Sequence, residues 1–247
     1  MGVQGLIADQ RLLVVCPAYN EAASVAAVVA DIRRAMPTAD VLVVDDGSTD
    51  GTAGAALAAG ARVLQLPFNI GVGGALRAGL LLAQRERYDV FVQCDADGQH
   101  PSDGIPALVA ATSDADIVIG SRWGSDDGYT AGLTRRIAMR ALAKTLSAVH
   151  HTQLDDVTSG FRAFSRRAIE VLARELPPEY LGDTVDALMI AKFRHLRVAQ
   201  VTVVMRPRET GAPSQNSFRA ALYLMRAALL IVLSLGRMVT VDRRSAS

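Results

Sequence analysis

Short apolar runs alternate with longer stretches of helical period through the first half of the chain. The apolar runs predict strands at 12–16, 41–44, 62–66, 90–94 and 117–119. Ala- and Leu-rich segments between them predict helices at 21–35, 49–59, 75–87 and 102–111. Runs that are apolar at nearly every position are typical of strands covered on both faces, and alternation of strand and helix is typical of parallel sheets. We therefore predict an α/β fold with a mostly parallel sheet and helices on both faces.

The regular alternation stops after Gly120. The pattern then predicts a loop to about Leu133, helices at 135–149 and 184–195, a strand at 198–204 and an apolar helix at about 218–235. We see no Gly-, Ser- or Pro-rich linker that would divide the chain. We therefore predict one domain at 1–217, with halves at about 12–122 and 123–217, followed by a helix and a basic tail at 218–247.

Polar and glycine residues follow each predicted strand, in the segments 17–21, 45–51, 69–74, 95–100 and 120–122. The carboxyl ends of parallel strands share one edge of a sheet, and ligands of open α/β sheets bind outside that edge. We therefore take these segments as the candidate site.

Asp95 and Asp97 come directly after an apolar run. Residues two apart in an extended chain point to the same side, so both carboxylates can face one cation. Paired carboxylates at a strand end suit Mg²⁺ or Mn²⁺ carrying a diphosphate. The alternative is a turn at Gly98, with the two acids capping the helix that opens near Pro101. The residues alone leave both interpretations open.

Asp45 and Asp46 close the second predicted strand. An acid at this position can hydrogen-bond a ribose or a base edge, although capping alone would explain Asp50 and also Asp46. Gly71, with the glycines that follow it, would let a ligand approach the backbone at a helix start. The first strand–helix turn, 17–21, contains no glycine, which disfavours a dinucleotide fingerprint and hydride transfer with NAD.

Together the rim segments resemble the family-2 glycosyltransferases of GT-A fold, especially the branch of dolichyl-phosphate mannosyltransferase and other polyprenyl-phosphate sugar transferases. The resemblance covers roughly residues 12–215 and follows the order of the family. The matching segments are PAYNE at 17–21, DDGSTDGT at 45–52, Asn69-x-Gly71, DADGQHP at 95–101, GSR at 120–122, SGFR at 159–162 and RxxGxxS at 208–214. It implies a GT-A fold and strengthens the cation site at Asp95 and Asp97.

The resemblance also implies a role for each site residue. The residues implied to hold the nucleotide part of the donor are Pro17, Tyr19, Glu21, Asp46, Gly71 and Ser214. The residues implied to surround the cation are Asp95, Asp97 and Gln99, and those implied to lie near donor or acceptor phosphates are Arg122, Arg162 and Arg208. The resemblance further implies that about residues 12–122, the nucleotide half, bind the donor and that about residues 123–217, the acceptor half, bind the acceptor. Relatives often carry a glutamate before the helix of the acceptor half, where the closest match here is Asp186, with Asp183 as a competitor.

These roles imply an inverting enzyme that moves a sugar from a UDP- or GDP-linked donor to a polyprenyl phosphate. A phosphate monoester, with a second pKa of about 6, is largely ionised at neutral pH and needs no protein base. A sugar hydroxyl would need one, and Asp186 or Asp183 would have to serve. The alternatives are a glycosyltransferase with a saccharide hydroxyl acceptor and a non-catalytic nucleotide-sugar-binding protein.

The predicted C-terminal helix indicates a membrane surface. It is too short and too charged to span a bilayer, and its arginines fall on one side of the helix, which leaves a wide apolar face. We therefore expect residues 218–237 to lie in the headgroup zone. The alternative is that this helix packs on the catalytic domain or on a second subunit, which would make a homo-oligomer.

Composition and the N-terminus narrow the partners and the compartment. The chain has 26 basic and 25 acidic residues, a net charge of +1, which disfavours a nucleic acid partner. Cys16 and Cys94 end apolar runs and are predicted to be reduced core thiols. The first residues lack the pattern of a secretory signal. We expect a cytoplasmic protein associated peripherally with the inner face of the cell membrane.

Overall fold

The structure, a computed structural model, describes residues 10–122, 133–177 and 182–203. Its strands in chain order are β1 (Leu12–Ala18), β2 (Asp40–Asp45), β3 (Arg62–Gln65), β4 (Val90–Gln93), β5 (Ile117–Arg122), β6 (Arg162–Ser165) and β7 (Val198–Val203). They form a seven-stranded sheet in the order β3-β2-β1-β4-β6-β5-β7. β6 is antiparallel to β4 and β5, and the other pairs are parallel. The predicted mostly parallel α/β sheet is confirmed.

Helices cover both faces of this sheet. The α-helices in chain order are α1 (Val25–Ala35), α2 (Thr52–Ala58), α3 (Val72–Arg85), α4 (Ile105–Ala111), α5 (Leu133–His150), α6 (Arg166–Glu175) and α7 (Ala187–Phe193). A 3₁₀ turn (Ser102–Gly104) precedes α4 and a π-helical turn (Gly182–Asp186) precedes α7. Residues of α3, α5, α6 and α7 form one core, on what we call the α3 face, and residues of α1, α2 and α4 form the other, on the α1 face.

The predicted strands and helices of the first half are all present, with shifted ends. β5 continues through Arg122, so the segment 120–122, predicted to follow a strand, is the end of the strand itself. α1 begins at Val25 and not at residue 21, because Asn20 takes a left-handed backbone (φ 56°) and residues 21–24 form turns. α3 begins earlier than predicted, at Val72, because Gly71 (φ 88°) ends the preceding loop at that point.

The sequence pattern missed β6 and α6. β6 has only four residues and lies between β4 and β5, which makes it the antiparallel member of the sheet. The signal that marks α6 is Ser165, whose side chain accepts a hydrogen bond from the N–H of Ala168 and caps the helix. The position of β6 between β4 and β5 brings the segment 157–162 to the carboxyl end of β4.

The predicted helix at 218–235 lies outside the described residues. Within the described ranges, no helix is long and apolar enough to cross a membrane.

Candidate active site

Asp95 lies just beyond β4 and is held by His100. The backbone N–H of Asp95 donates to Nδ1 of His100 over 3.0 Å, and Nε2 of the same ring lies 3.6 Å from Oδ2 of Asp95. In the neutral ring the proton is therefore on Nε2, facing the carboxylate. Burial lowers the pKa of His100, but the charge of Asp95 raises it, and the net direction is upward. The ring stacks on Phe161 with centroids 5.0 Å apart, which fixes its orientation.

Asp97 sits in a tight turn with Gln99. Oδ1 of Asp97 accepts the backbone N–H of Gln99 over 3.0 Å, and Oδ2 accepts its side-chain N–H over 2.7 Å. Gly98 between them has a left-handed backbone, with φ 78°. The turn at Gly98 that the alternative interpretation predicted is thus present. Capping of the helix near Pro101 by the two acids stays a prediction. The amide of Gln99 supports Asp97 here, and its role as a cation ligand stays a prediction.

The chemistry of Asp95 and Asp97 fits a divalent cation shared with a diphosphate. Asp95 is 39% exposed at its side chain, so its oxygens are accessible at the rim. In the described ranges no group of three or more His, Cys, Asp or Glu side chains could hold a metal by itself. Mg²⁺ commonly binds through one or two carboxylates, with substrate phosphates and water completing its shell. The residues present therefore fit a cation that arrives with the donor.

Two loops of the nucleotide half are joined by Asn20. Its side-chain oxygen accepts the backbone N–H of Thr49 over 2.9 Å, and its backbone N–H donates to the hydroxyl of Ser48 over 2.9 Å. Sequence reasoning did not single out Asn20, although asparagine is enriched at left-handed positions and in turns. Because of this bridge, the segments after β1 and β2 are held side by side.

The predicted nucleoside-binding residues of the first loop lie at this junction. Pro17 belongs to β1, and Tyr19 is 47% exposed. Glu21 accepts the hydroxyl of Ser24 over 2.8 Å, and its backbone N–H donates to the hydroxyl of Thr52. The three residues thus share one edge of the sheet, with the ring of Tyr19 accessible.

Asp46 binds backbone within the protein. Its two oxygens accept the N–H groups of Ile70 and Gly71, each over 2.8 Å. The backbone N–H of Gly71 therefore already donates to a protein carboxylate. A nucleoside contact for Asp46 and for Gly71 stays a prediction.

Asp50 acts as a cap, as one of the alternatives predicted. It accepts hydrogen bonds from the hydroxyl and the backbone N–H of Thr52, at the start of α2, and from the N–H of Ala22. The hydrogen bond from the Thr52 hydroxyl is the main reason that the pKa of Asp50 is lowered.

Arg162 is buried at the start of β6. Its side chain is 0% exposed and donates to the backbone carbonyls of Val157, Ser159 and Thr184, over 2.6 to 3.1 Å. In this position it ties the segment 157–159 to the π-helical turn that contains Asp186. The guanidinium thus supports the fold, and its role near a phosphate stays a prediction.

The remaining predicted site residues are only partly described. Asp186 is the last residue of the π-helical turn and is partly buried. Arg122 ends β5, at the same edge of the sheet as Asp95, but its side chain and that of Asp183 lie outside the described parts. Arg208 and Ser214 lie outside the described residues altogether.

The two cysteines are core residues, as predicted. Cys16 and Cys94 are free and fully buried on the α1 face. Hydrogen bonding with Cys16 and burial raise the pKa of the Cys94 thiol well above its usual value. The neutral thiol is a poor nucleophile, which agrees with a packing role.

Comparison with known proteins agrees with the site. The family model described as Glycosyl transferase family 2 matches residues 13–172. Undecaprenyl-phosphate mannosyltransferase of Micrococcus luteus is 35% identical over 81% of this chain and 86% of its own length. Polyprenol monophosphomannose synthase of Mycolicibacterium smegmatis is 36% identical over 87% of this chain and 85% of its own length.

A solved structure shares the fold. Glucosyl-3-phosphoglycerate synthase from Mycobacterium tuberculosis, in complex with Mn²⁺, UDP-glucose and phosphoglyceric acid, superposes with a TM-score of 0.72 at 26% identity. The match covers 93% of this chain and 82% of that one. The predicted GT-A fold is thereby confirmed. Because the family match spans more than half of the chain, the chain belongs to glycosyltransferase family 2 and is a glycosyltransferase.

Proposed function

We propose that this enzyme transfers one sugar from a nucleotide diphosphate sugar to a polyprenyl phosphate, with inversion at the anomeric carbon. The observation that carries the proposal is the placement of Asp95 and Asp97 at the carboxyl end of β4, with Asp95 accessible at the rim and held from behind by His100. Two relatives of more than 30% identity support it, an undecaprenyl-phosphate mannosyltransferase and a polyprenol monophosphomannose synthase.

Asp95 and Asp97 would hold Mg²⁺ or Mn²⁺ together with the diphosphate of the donor. When bound, the cation neutralises charge on the departing nucleoside diphosphate. The solved relative with Mn²⁺ and UDP-glucose supports this choice of cofactor. Gln99 holds the carboxylate of Asp97 through two hydrogen bonds, so the ligand oxygens are fixed before the donor arrives.

The nucleoside would lie across the loops after β1 and β2. Asn20 holds these loops together, and the exposed ring of Tyr19 offers an aromatic surface at their edge. The base is UDP- or GDP-type in this proposal. Glu21 and Asp46 already bind neighbouring protein groups. They would therefore hold the loops around the nucleoside in place as well as contact it.

The acceptor side explains why a lipid phosphate is favoured over a hydroxyl. A phosphate monoester attacks as an anion and needs no base. The acceptor half carries Asp186 where relatives often have glutamate. The shorter side chain reaches less far, so it is less suited to act as the base that a hydroxyl acceptor requires. Binding at a membrane surface through residues 218–237, on the inner face, completes the proposal.

The test is a transfer assay with labelled GDP-mannose, UDP-glucose and UDP-N-acetylglucosamine, each with Mn²⁺ and a polyprenyl phosphate in detergent. We expect label from one donor to enter the organic phase, and a matched reaction with Asp97→Asn to transfer far less. Label that appears only on added saccharides would favour the hydroxyl acceptor. Donor binding without transfer to any acceptor would favour a non-catalytic binding protein.

A further inference from the structure

The α3 face of the sheet becomes polar toward the carboxyl edge. Side chains two residues apart in a strand lie on the same face, so β4 presents Phe91 and then Gln93 there. The antiparallel β6 pairs Phe164 with Phe91 and Arg162 with Gln93. The two phenylalanine rings meet edge to face, with centroids 5.6 Å apart. Two residues nearer the carboxyl end of β4, the pair consists instead of Gln93, with a buried amide, and Arg162, with a buried guanidinium.

The next step along the same face reaches the rim at Asp95. Cys94 lies in the core on the α1 face, so Gln93 and Asp95, on either side of it in sequence, share the α3 face. A Cβ built on Gly160 would come within 3.0 Å of the carboxylate of Asp95. Gly160 precedes Arg162 by two residues, which places it beside Asp95 in the pattern set by the β4–β6 pairing.

Ser121 completes this group from β5. Ile119 pairs with Arg162 and belongs to the core on the α3 face. Ser121 is two residues further toward the carboxyl end, so it lies on that face, level with Gly160. Gln93 and Ser121 therefore lie on either side of the short β6, on the same face as Asp95.

The polar side-chain atoms of Gln93 and Ser121 have no hydrogen-bond partner among the described residues. Gln93 is 1% exposed and Ser121 0%, and within the described part of the protein neither amide atom of Gln93 nor the hydroxyl of Ser121 makes a hydrogen bond. The adjacent Arg162 donates to the backbone carbonyls of Val157, Ser159 and Thr184. Buried polar groups without partners cost folding free energy and are rare in native proteins. Gln93 and Ser121 therefore place unused hydrogen-bonding groups on one face of the sheet, near Asp95.

We propose that Gln93 and Ser121 bind hydroxyl groups of the sugar that the donor carries. This inference rests on the proposed function, and it adds the residues that recognise the transferred sugar. The sugar is the part of the donor attached to the diphosphate, so it lies next to any cation held at Asp95. A glutamine amide both donates and accepts, and so does a serine hydroxyl, which suits neighbouring sugar hydroxyls. Binding the sugar would then supply the hydrogen bonds that these side chains do not make with the described residues of the protein.

The test compares Gln93→Met and Ser121→Ala with wild type. Both substitutions remove the polar atoms without adding a branch or a larger side chain. Dissociation constants are measured with Mn²⁺ for UDP and GDP, and for UDP-glucose, UDP-N-acetylglucosamine and GDP-mannose. Thermal unfolding of each free protein is measured in parallel. Gln84→Met is the matched control, because Gln84 is on α3 and its amide already donates to the carbonyl of Glu170.

We expect both variants to unfold at the wild-type temperature or above it, because no protein hydrogen bond is lost. Their affinity for UDP or GDP should match wild type, and their affinity for the preferred nucleotide sugar should fall at least about tenfold for Gln93→Met. Gln84→Met should bind both ligands normally. Wild-type affinity for the nucleotide sugar in both variants would overturn the inference, and so would a lower unfolding temperature in both, which would mean that the groups have partners in the protein. Failure of wild type to bind any nucleotide sugar would instead refute the proposed function.

Discussion

The carboxylate of Asp46 accepts the backbone N–H of Gly71 over 2.8 Å, and its second oxygen accepts the N–H of Ile70 over the same distance. Asp46 is 3% exposed, so these two amides replace the water that a carboxylate would otherwise bind. The contact joins the end of β2 to the loop that starts α3. The position of that loop at the rim therefore depends on the side chain of one buried residue, Asp46.

Replacing Asp46 with Ala should destabilise the free protein. The change removes the acceptor of two N–H groups in the loop before α3, and we expect a loss of about 1–3 kcal/mol in the free energy of unfolding. Urea unfolding without any nucleotide measures this directly. Asp114→Ala, at an exposed carboxylate on the surface, serves as the control and should change stability little. Unchanged stability in Asp46→Ala would mean that the role of this residue lies with a ligand instead.

Replacing Asp97 with Asn should reduce the rate of transfer by about a hundredfold or more. The amide keeps the size of the side chain but removes the charge that the proposed cation needs, comparable to the loss of one preorganised electrostatic group. Initial rates over a series of Mn²⁺ concentrations measure the effect. Asp103→Asn is the matched control, because Asp103 lies six residues further along with a side chain that is 63% exposed. Near wild-type rates in excess chelator would contradict the cation site.

Gly160→Ala should weaken cation binding more than it weakens the fold. The added Cβ would come within 3.0 to 3.1 Å of both oxygens of Asp95, so the carboxylate would have to move. We expect the Mn²⁺ concentration for half-maximal rate to rise. Gly54→Ala in α2 is the control, because nothing lies within 4 Å of a Cβ at that position. That control should stabilise the helix slightly and leave the Mn²⁺ dependence as in wild type. An unchanged Mn²⁺ dependence in Gly160→Ala would place Asp95 outside the cation site.

The rim of the site could be predicted from sequence because its elements are local. An apolar run followed by Asp95 and Asp97 specifies a buried strand and two carboxylates at its end, whatever the rest of the chain does. The parallel sheet follows from the repeated strand–helix pattern, and that pattern brings the other rim segments to the same edge. The starts of α1 and α3 were predicted less well. They depend on the left-handed backbone angles of Asn20 and Gly71, which a hydrophobic pattern does not show.

The interior of the site could not be predicted in the same way. Arg162 stands in a motif that the family resemblance places near phosphates, but a motif does not say which way a guanidinium points. Its direction depends on β6, a four-residue antiparallel strand whose pairing partners are far away in sequence. The sequence also could not predict that the amide of Gln93 is buried without a hydrogen-bond partner among the described residues. The burial of one side chain depends on how the whole sheet is assembled and covered.

Arg162→Met should show whether this residue serves the fold or a phosphate. Methionine keeps much of the apolar stem but leaves the carbonyls of Val157, Ser159 and Thr184 without their donors. Hydrogen bonds to a charged group contribute about 1.5–3 kcal/mol each, so we expect a loss of about 3 kcal/mol or more and a fall of about 6–12 °C in unfolding temperature.

The matched control for that variant is Arg166→Met, four residues later, where the arginine is exposed and pairs with Asp89 over 2.6 Å at the surface. A surface ion pair contributes little, so the control should unfold within about 3 °C of wild type. The two variants together separate folding from ligand binding. If Arg162→Met unfolds like wild type but no longer binds nucleoside diphosphates, the buried hydrogen bonds are not needed to hold residues 157–159 to the π-helical turn. The guanidinium then belongs to the phosphate site that the family resemblance implies.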